Sequence, residues 1–258
     1  MNIEEVHVWR GTPEQRALRE QAVKSGQFAY FDEQLDHPDW RGKLVLDFGG
    51  NRGNILLDPA CQIQPRDYYC VDVIKDAIED GRRTFPDAHW AHYDRYNCSF
   101  NPEGVVDLAV PDFGTEFDAI FAYSVFTHTT REEMLDLVSQ LRAKLVPGGK
   151  LAFTFIDPHW ESNLEWRLER SHREADVQSL LERSRDARWC SLVNGTDLYV
   201  EGNGEWSNEA ESCMTYHVFY TEEFMREQFP HATIRPPVNG EMQHCCIMSH
   251  EKAQDTSQ

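Results

Sequence analysis

Residues 44–54 read LVLDFGGNRGN, and this stretch decides how the rest of the chain is laid out. Leu44, Val45, Leu46 and Phe48 form a short apolar run of the kind found in a strand covered on both faces. The run carries one acidic residue, Asp47, and breaks off into Gly49, Gly50, Asn51 and Gly53. Glycine admits positive φ and lets another group approach the backbone closely, while a following helix offers its free N–H groups. Open α/β sheets hold their ligands where a strand runs into such a loop.

Downstream, short apolar runs alternate with amphipathic stretches, the pattern of parallel βαβ units. Residues 54–63 (NILLDPACQI) predict a short helix interrupted by proline, DYYCVDV a second strand, Lys75 to Phe85 a helix, HWAHYD a third strand and FDAIFAYSVF a fourth. Arg131 to Leu145 places Met134, Leu135, Val138, Leu141 and Leu145 on one helical face, and PGGK leads into LAFTFID, the fifth strand. After Asp157 the alternation stops for about sixty residues, which hold Trp160, Trp166, Trp189, Trp206 and a charged helical segment, LEWRLERSHREADVQSLLERSRD. Thr221 is expected to cap the helix in YTEEFMREQF. ATIRPPV and QHCCIMSH then read as two last strands, antiparallel because only about seven residues separate them.

Upstream, Thr12 is expected to cap a helix entered through Pro13, with Ala17, Leu18, Ala22 and Val23 on one stripe. The aromatic segment Phe28 to Leu35 lies either over a ligand site or on the sheet edge. The chain is expected to form a single domain: a helical cover over 1–40, a ligand-binding core over 41–157, a lid or insertion over 158–216, and the last helix and closing hairpin over 217–250. EKAQDTSQ reads as a frayed tail.

Forty-four acidic residues stand against 25 basic ones, a net charge of −19 in 258 residues. Such a surface repels phosphate backbones and anionic headgroups, so neither nucleic acid nor a membrane is an expected partner, and the oligomeric state is left open. No apolar run approaches the roughly 20 residues of a membrane span, and the start MNIEEVHVWRGTPEQ lacks the regions of a secretory signal. A cytoplasmic location is expected. The seven cysteines, at 61, 70, 98, 190, 213, 245 and 246, include no C-x-x-C pair and read as reduced thiols, with no metal expected. Cys245 and Cys246, adjacent in a strand, should face opposite ways.

The stretch around Asp47 resembles the first motif of class I S-adenosylmethionine-dependent methyltransferases, acidic-x-Gly-x-Gly-x-Gly, in the register Asp47, Gly49, Asn51, Gly53. Asn51 replaces the middle glycine. Asparagine best tolerates a left-handed backbone among the other residues, and Gly50 beside it adds freedom. Asp72 closes the second strand 25 residues beyond Asp47, which suits a carboxylate accepting from both ribose hydroxyls; Val73 is counted with it. Asp94 follows the third strand, Tyr123 and Ser124 end the fourth in a stretch resembling the family's fourth motif, and LVPGGKLAFTF resembles its sixth. The resemblance covers roughly residues 40–157 and 231–250. It implies an α/β fold with a Rossmann-like, seven-stranded, mostly parallel sheet, a closing antiparallel hairpin and a helical insertion after strand five.

The same resemblance implies S-adenosylmethionine as cofactor and S-adenosylhomocysteine as product. Asp47 would hold the cofactor's α-amino group, directly or through water. Gly49, Gly50, Asn51 and Gly53 would lie under its methionine moiety, Asp94 near its adenine, and Tyr123 and Ser124 beside the transfer centre. The acceptor is expected to be a small molecule, with oxygen slightly preferred over nitrogen. Such an acceptor has a proton to lose, which a histidine can take. His128 and His159 are the catalytic candidates and His217 a further one, each also readable as a packing or loop residue. The insertion's tryptophans suit either an acceptor wall or a satellite core, and Arg167, Arg170 and Arg173 suit either an anion clamp or a solvated helix face. The main alternative is a protein that binds S-adenosylmethionine without transferring methyl. A nicotinamide-dependent oxidoreductase and a plain interaction module stand further off.

Overall fold

The computed structural model describes residues 26–170, 172–193, 197–201, 216–238 and 240–250. The Thr12 helix, Trp206, Cys213 and the tail at 251–258 fall outside them.

The first helix, α1, is described over 26–34. Then follow β1 (Val45–Phe48), α2 (Asn54–Leu57), β2 (Tyr68–Asp72), α3 (Lys75–Thr84), β3 (His89–His92), β4 (Phe117–Ala122), α4 (Arg131–Arg142) and β5 (Leu145–Phe155). These strands pair in parallel, and β10 (His244–Ser249) lies antiparallel between β5 and β9 (Thr233–Arg235). The seven-stranded order is β3-β2-β1-β4-β5-β10-β9. The chain leaves β1 outward on one side through β2 and β3, then crosses back to β4 on the other. The carboxyl ends of β1 and β4 therefore flank the point where strand order reverses, which is where a crevice opens.

Period-two alternation assigns the side chains to two cores. Leu46, Phe48, Phe153, Phe155 and Cys246 pack on one face with α4; Val45, Phe121, Ala152 and Cys245 pack on the other with α1. Cys245 and Cys246 thus face opposite ways. Phe31 of α1 stacks on Phe121 at 4.4 Å and 6°, so the aromatic segment packs on the sheet, while Gln27 at its start reaches the crevice.

Helix α4 begins at a capping box in which the Thr130 hydroxyl accepts from the Glu133 backbone at 3.1 Å and Glu133 accepts from the Thr130 backbone at 2.8 Å. It ends at Arg142, three residues before Leu145, because Leu145 pairs with Phe117 and opens β5. Leu137, not Leu145, completes the buried stripe with Met134, Val138 and Leu141; Leu135 is half-buried.

The insertion begins helically, as the sequence predicts, in two pieces: α5 (Asn163–Glu169) and α6 (Glu174–Ser184). It then adds a three-stranded antiparallel sheet that periodicity did not reveal, β6 (Trp189–Val193), β7 (Asp197–Val200) and β8 (Tyr216–Tyr220), in the order β7-β6-β8. A satellite core of Ile156, Leu164, Leu168, Val177, Cys190, Leu192, Leu198, Val200 and Phe219 joins helices to sheet. It holds none of the described tryptophans. Trp189 packs in the main core, and Trp160 is partly exposed against His244. Helix α7 (Glu222–Gln228) is capped by Thr221 as expected, its side chain accepting from Phe224 N–H at 3.1 Å.

Candidate active site

At the strand-order reversal lies a cavity of about 300 Å³, lined by the glycine loop, the end of β2, the segment after β3 and the loop after β4. Among its walls are Gly49, Asn51, Asp72, Val73, Tyr123, Ser124 and His128. The size suits a bound small molecule.

The loop is built by left-handed backbone: φ is 77° at Gly49, 54° at Asn51 and 88° at Gly53. A Cβ on Gly49 would stand 2.4 Å from Val125 Cγ2, and one on Gly50 would stand 2.4 Å from Asp47 Oδ2. The loop folds around Asp72, which is 6% exposed. Asn51 N–H donates to Oδ2 at 2.8 Å and Ile74 N–H to Oδ1 at 2.8 Å. Burial raises the Asp72 pKa above its ordinary value, and these backbone donors oppose the shift.

Asp47 takes another position. It is fully buried and does not line the cavity; its side chain lies beneath the loop, on the face shared with Tyr68 and Cys70. Tyr68 Oη donates to Oδ2 at 2.5 Å, and Oδ1 has no hydrogen-bond partner among the described residues. Loss of water pushes its pKa up to about 7, the Tyr68 hydrogen bond pulling the other way and the Asp72 charge adding to the rise.

Asp94 is exposed, accepts from Asn101 Nδ2 at 3.0 Å, and faces a shallow depression beside the cavity. Alternation past β3 turns its neighbours Tyr93 and Arg95 inward instead, and both line the cavity. The Leu108 carbonyl accepts from both, from Tyr93 Oη at 2.5 Å and from Arg95 Nη1 at 2.7 Å. Arg95 Nη2 faces Asp107, Glu133 and Asp136 at 3.8, 4.0 and 4.0 Å. Sequence reading passed over Arg95. Its place two residues after the inward Tyr93 was the available signal.

Tyr123 turns its hydroxyl to the Glu241 carboxylate and its ring to Tyr30, at 5.6 Å between centroids. Ser124 is held at φ 56°. Its N–H donates to Thr154 Oγ1 at 2.7 Å, Thr154 donates to Gln243 Oε1 at 2.7 Å, and the Gln243 carbonyl accepts from Tyr30 Oη at 3.0 Å.

His128 stands in the wall and meets the Phe100 ring at 5.2 Å and the His217 ring at 5.0 Å. His217 is pushed down to about 3, first by burial and then by the basic groups of Arg167, His128 and Arg170. It is neutral at pH 7. His159 falls elsewhere: it is exposed after β5, outside the cavity wall, its backbone N–H bound to Asp157 Oδ1 at 2.8 Å.

Residues 46–151 match a family model described as a methyltransferase domain. The matched stretch runs from β1 into β5 and takes in the glycine loop, Asp72 and His128. The fold is also that of solved structures of low identity. The PH0226 protein from Pyrococcus horikoshii OT3 superposes with a TM-score of 0.51 at 14% identity, over 98% of this chain and 100% of that one. CalS10, an amino pentose methyltransferase from Micromonospora echinaspora, gives 0.50 at 14%, over 95% and 99%. Against the pyocyanin biosynthetic protein PhzM, at 13% identity and a TM-score of 0.45, the match covers 86% of this chain and 54% of that chain. Among the described residues, no helix is long and apolar enough to cross a membrane.

Proposed function

We propose that the protein methylates a small-molecule acceptor, with oxygen slightly preferred over nitrogen. The observation that carries this reading is the cavity at the strand-order reversal, bounded by a loop with no room for a Cβ at Gly49 and by the buried Asp72. When bound, S-adenosylmethionine supplies an electrophilic methyl group on a sulfonium sulfur. Gly49, Gly50, Asn51 and Gly53 form the bed for its methionine part. Each Asp72 oxygen accepts one backbone N–H and keeps capacity for a ribose hydroxyl. Val73 flanks the base. Asp47 acts from beneath the loop, its buried carboxyl packed under Gly50 and held by Tyr68, rather than as a wall residue. Tyr123 and Ser124 bound the transfer centre, and His128 takes the proton that a hydroxyl acceptor loses. The insertion at 158–216 supplies the acceptor side, within a single domain.

Calorimetry with S-adenosylmethionine and S-adenosylhomocysteine tests the cofactor site, and release of S-adenosylhomocysteine across a panel of phenols, alcohols and amines tests transfer. Absence of binding to either nucleoside ends the reading. Binding to both without release with any acceptor favours the non-transferring alternative.

A further inference from the structure

Ser124 is a wall residue whose hydroxyl hydrogen is already committed. The serine is half-buried, held at φ 56°, and its N–H donates to Thr154 Oγ1 at 2.7 Å. Its carbonyl accepts from Thr127 Oγ1 at 2.9 Å, and its own Oγ lies 3.0 Å from the same Thr127 oxygen. A carbonyl has no hydrogen to give, so the single hydroxyl hydrogen of Thr127 points at it; otherwise two bare oxygens would face each other at 2.9 Å. The second contact then takes the Ser124 hydrogen. Thr127 is 1% exposed and outside the cavity wall, so no ligand competes for its hydrogen. Ser124 Oγ is left with lone pairs alone. Val125, the next residue, packs against the glycine loop, where a Cβ on Gly49 would stand 2.4 Å from its Cγ2. The committed serine therefore stands at the junction of the β4 exit and that loop.

We propose that Ser124 Oγ is a hydrogen-bond acceptor fixed at the transfer centre, where it favours a cationic group and so distinguishes the charged cofactor from its neutral product. The proposal rests on the methyltransferase reading and adds a specificity-determining residue to it. A serine hydroxyl ordinarily rotates to suit a donor or an acceptor. Here Thr127 fixes the rotation, and the negative end of the O–H dipole is in place before the ligand arrives. A sulfonium group beside that oxygen is attracted to it. Loss of the methyl group leaves a thioether with lone pairs of its own, and the attraction ends with the transfer. Bound product is thereby released more readily than the cofactor that formed it. Thr127 is a positioning residue in this arrangement: it touches no ligand and sets where the serine hydrogen points. Thr154 does the same for the backbone, since its own hydrogen goes to Gln243 Oε1 at 2.7 Å and its oxygen is left to receive the Ser124 N–H.

The test measures, by calorimetry on the full chain, the affinities of S-adenosylmethionine, S-adenosylhomocysteine and sinefungin, in which an amine-bearing carbon replaces the sulfonium centre. The ammonium group of sinefungin offers Ser124 a charge-assisted donor, so it should bind at least about tenfold more tightly than S-adenosylhomocysteine. S-adenosylmethionine should also bind ahead of S-adenosylhomocysteine. Ser124→Ala should bring the three affinities together, because the other contacts of the nucleosides are shared. Ser124→Gly removes the same oxygen and suits φ 56°, so it gives the same readout if the alanine variant fails to fold. The proposal is overturned if S-adenosylhomocysteine binds the parent as tightly as either cation, or if a folded variant keeps the parent's ratios. A merely structural serine would weaken all three ligands alike and leave those ratios standing. Failure of all three to bind would instead strike the underlying methyltransferase reading.

Discussion

Tyr68 donates its hydroxyl to the fully buried Asp47 at 2.5 Å across adjacent strands, beneath the loop that bounds the cavity. The carboxyl pKa is raised to about 7, so the folded chain binds a proton there that the unfolded chain releases near 3.8. Stability from this group is full below the unfolded value and falls as pH rises toward 7. Asp47→Asn should therefore be more stable than the parent at pH 8, by up to about 4 kcal/mol, with the gap closing at pH 4. Urea denaturation at the two values checks this, and an equal gap at both would contradict it.

Gly49→Ala should destabilise the chain by about 2 kcal/mol or more, because φ is 77° and the new methyl would stand 2.4 Å from Val125 Cγ2. Val125→Ala in the same chain should restore part of the loss by removing the clash and leaving the backbone cost. Melting of the single and double variants, with S-adenosylhomocysteine affinity alongside, reads both contributions.

Asp72→Ala removes the acceptor of two backbone donors, Asn51 N–H and Ile74 N–H. Affinity for S-adenosylmethionine should fall by the equivalent of about 1.5–3 kcal/mol, measured by calorimetry. Unchanged affinity would remove the ribose assignment.

His217, held down to about 3, should keep a neutral ring throughout pH 5 to 8 in heteronuclear NMR. Its folded value lies below the unfolded one, so its contribution to stability is complete above the unfolded 6.5 and declines as pH falls toward 3. His217→Phe should flatten that acid limb of the stability profile, and an unaltered limb would count against the assignment.

The parallel sheet was legible because its strands are buried on both faces: VLDF, YYCVD and FDAIFA read as near-continuous apolar runs, with Asp47 one residue before the end of β1 and Asp72 closing β2. Leu145 was assigned to the wrong element because an apolar residue at helical spacing after Leu141 also fits a strand start, and pairing with Phe117 settles it. The insertion's sheet was hidden for a different reason: WCSLV is buried throughout, so it lacks the two-residue alternation that announces a half-exposed strand. Asp94 was chosen by motif position, whereas the pleat at the end of β3 gives the inward places to Tyr93 and Arg95. His128 and His217 were each visible as candidates, 89 residues apart, but no spacing rule announces a meeting made by the insertion's sheet.

The relay from Ser124 through Thr154 and Gln243 to Tyr30 makes the exit of β4 a shared keystone for distant parts of the polypeptide. Trimming the aromatic helix near the amino end or the hairpin near the carboxyl end would be felt at the same serine. Circular permutation that joins those two regions through a new linker should keep the relay whole, whereas a split between them would loosen the centre of the molecule rather than its edges.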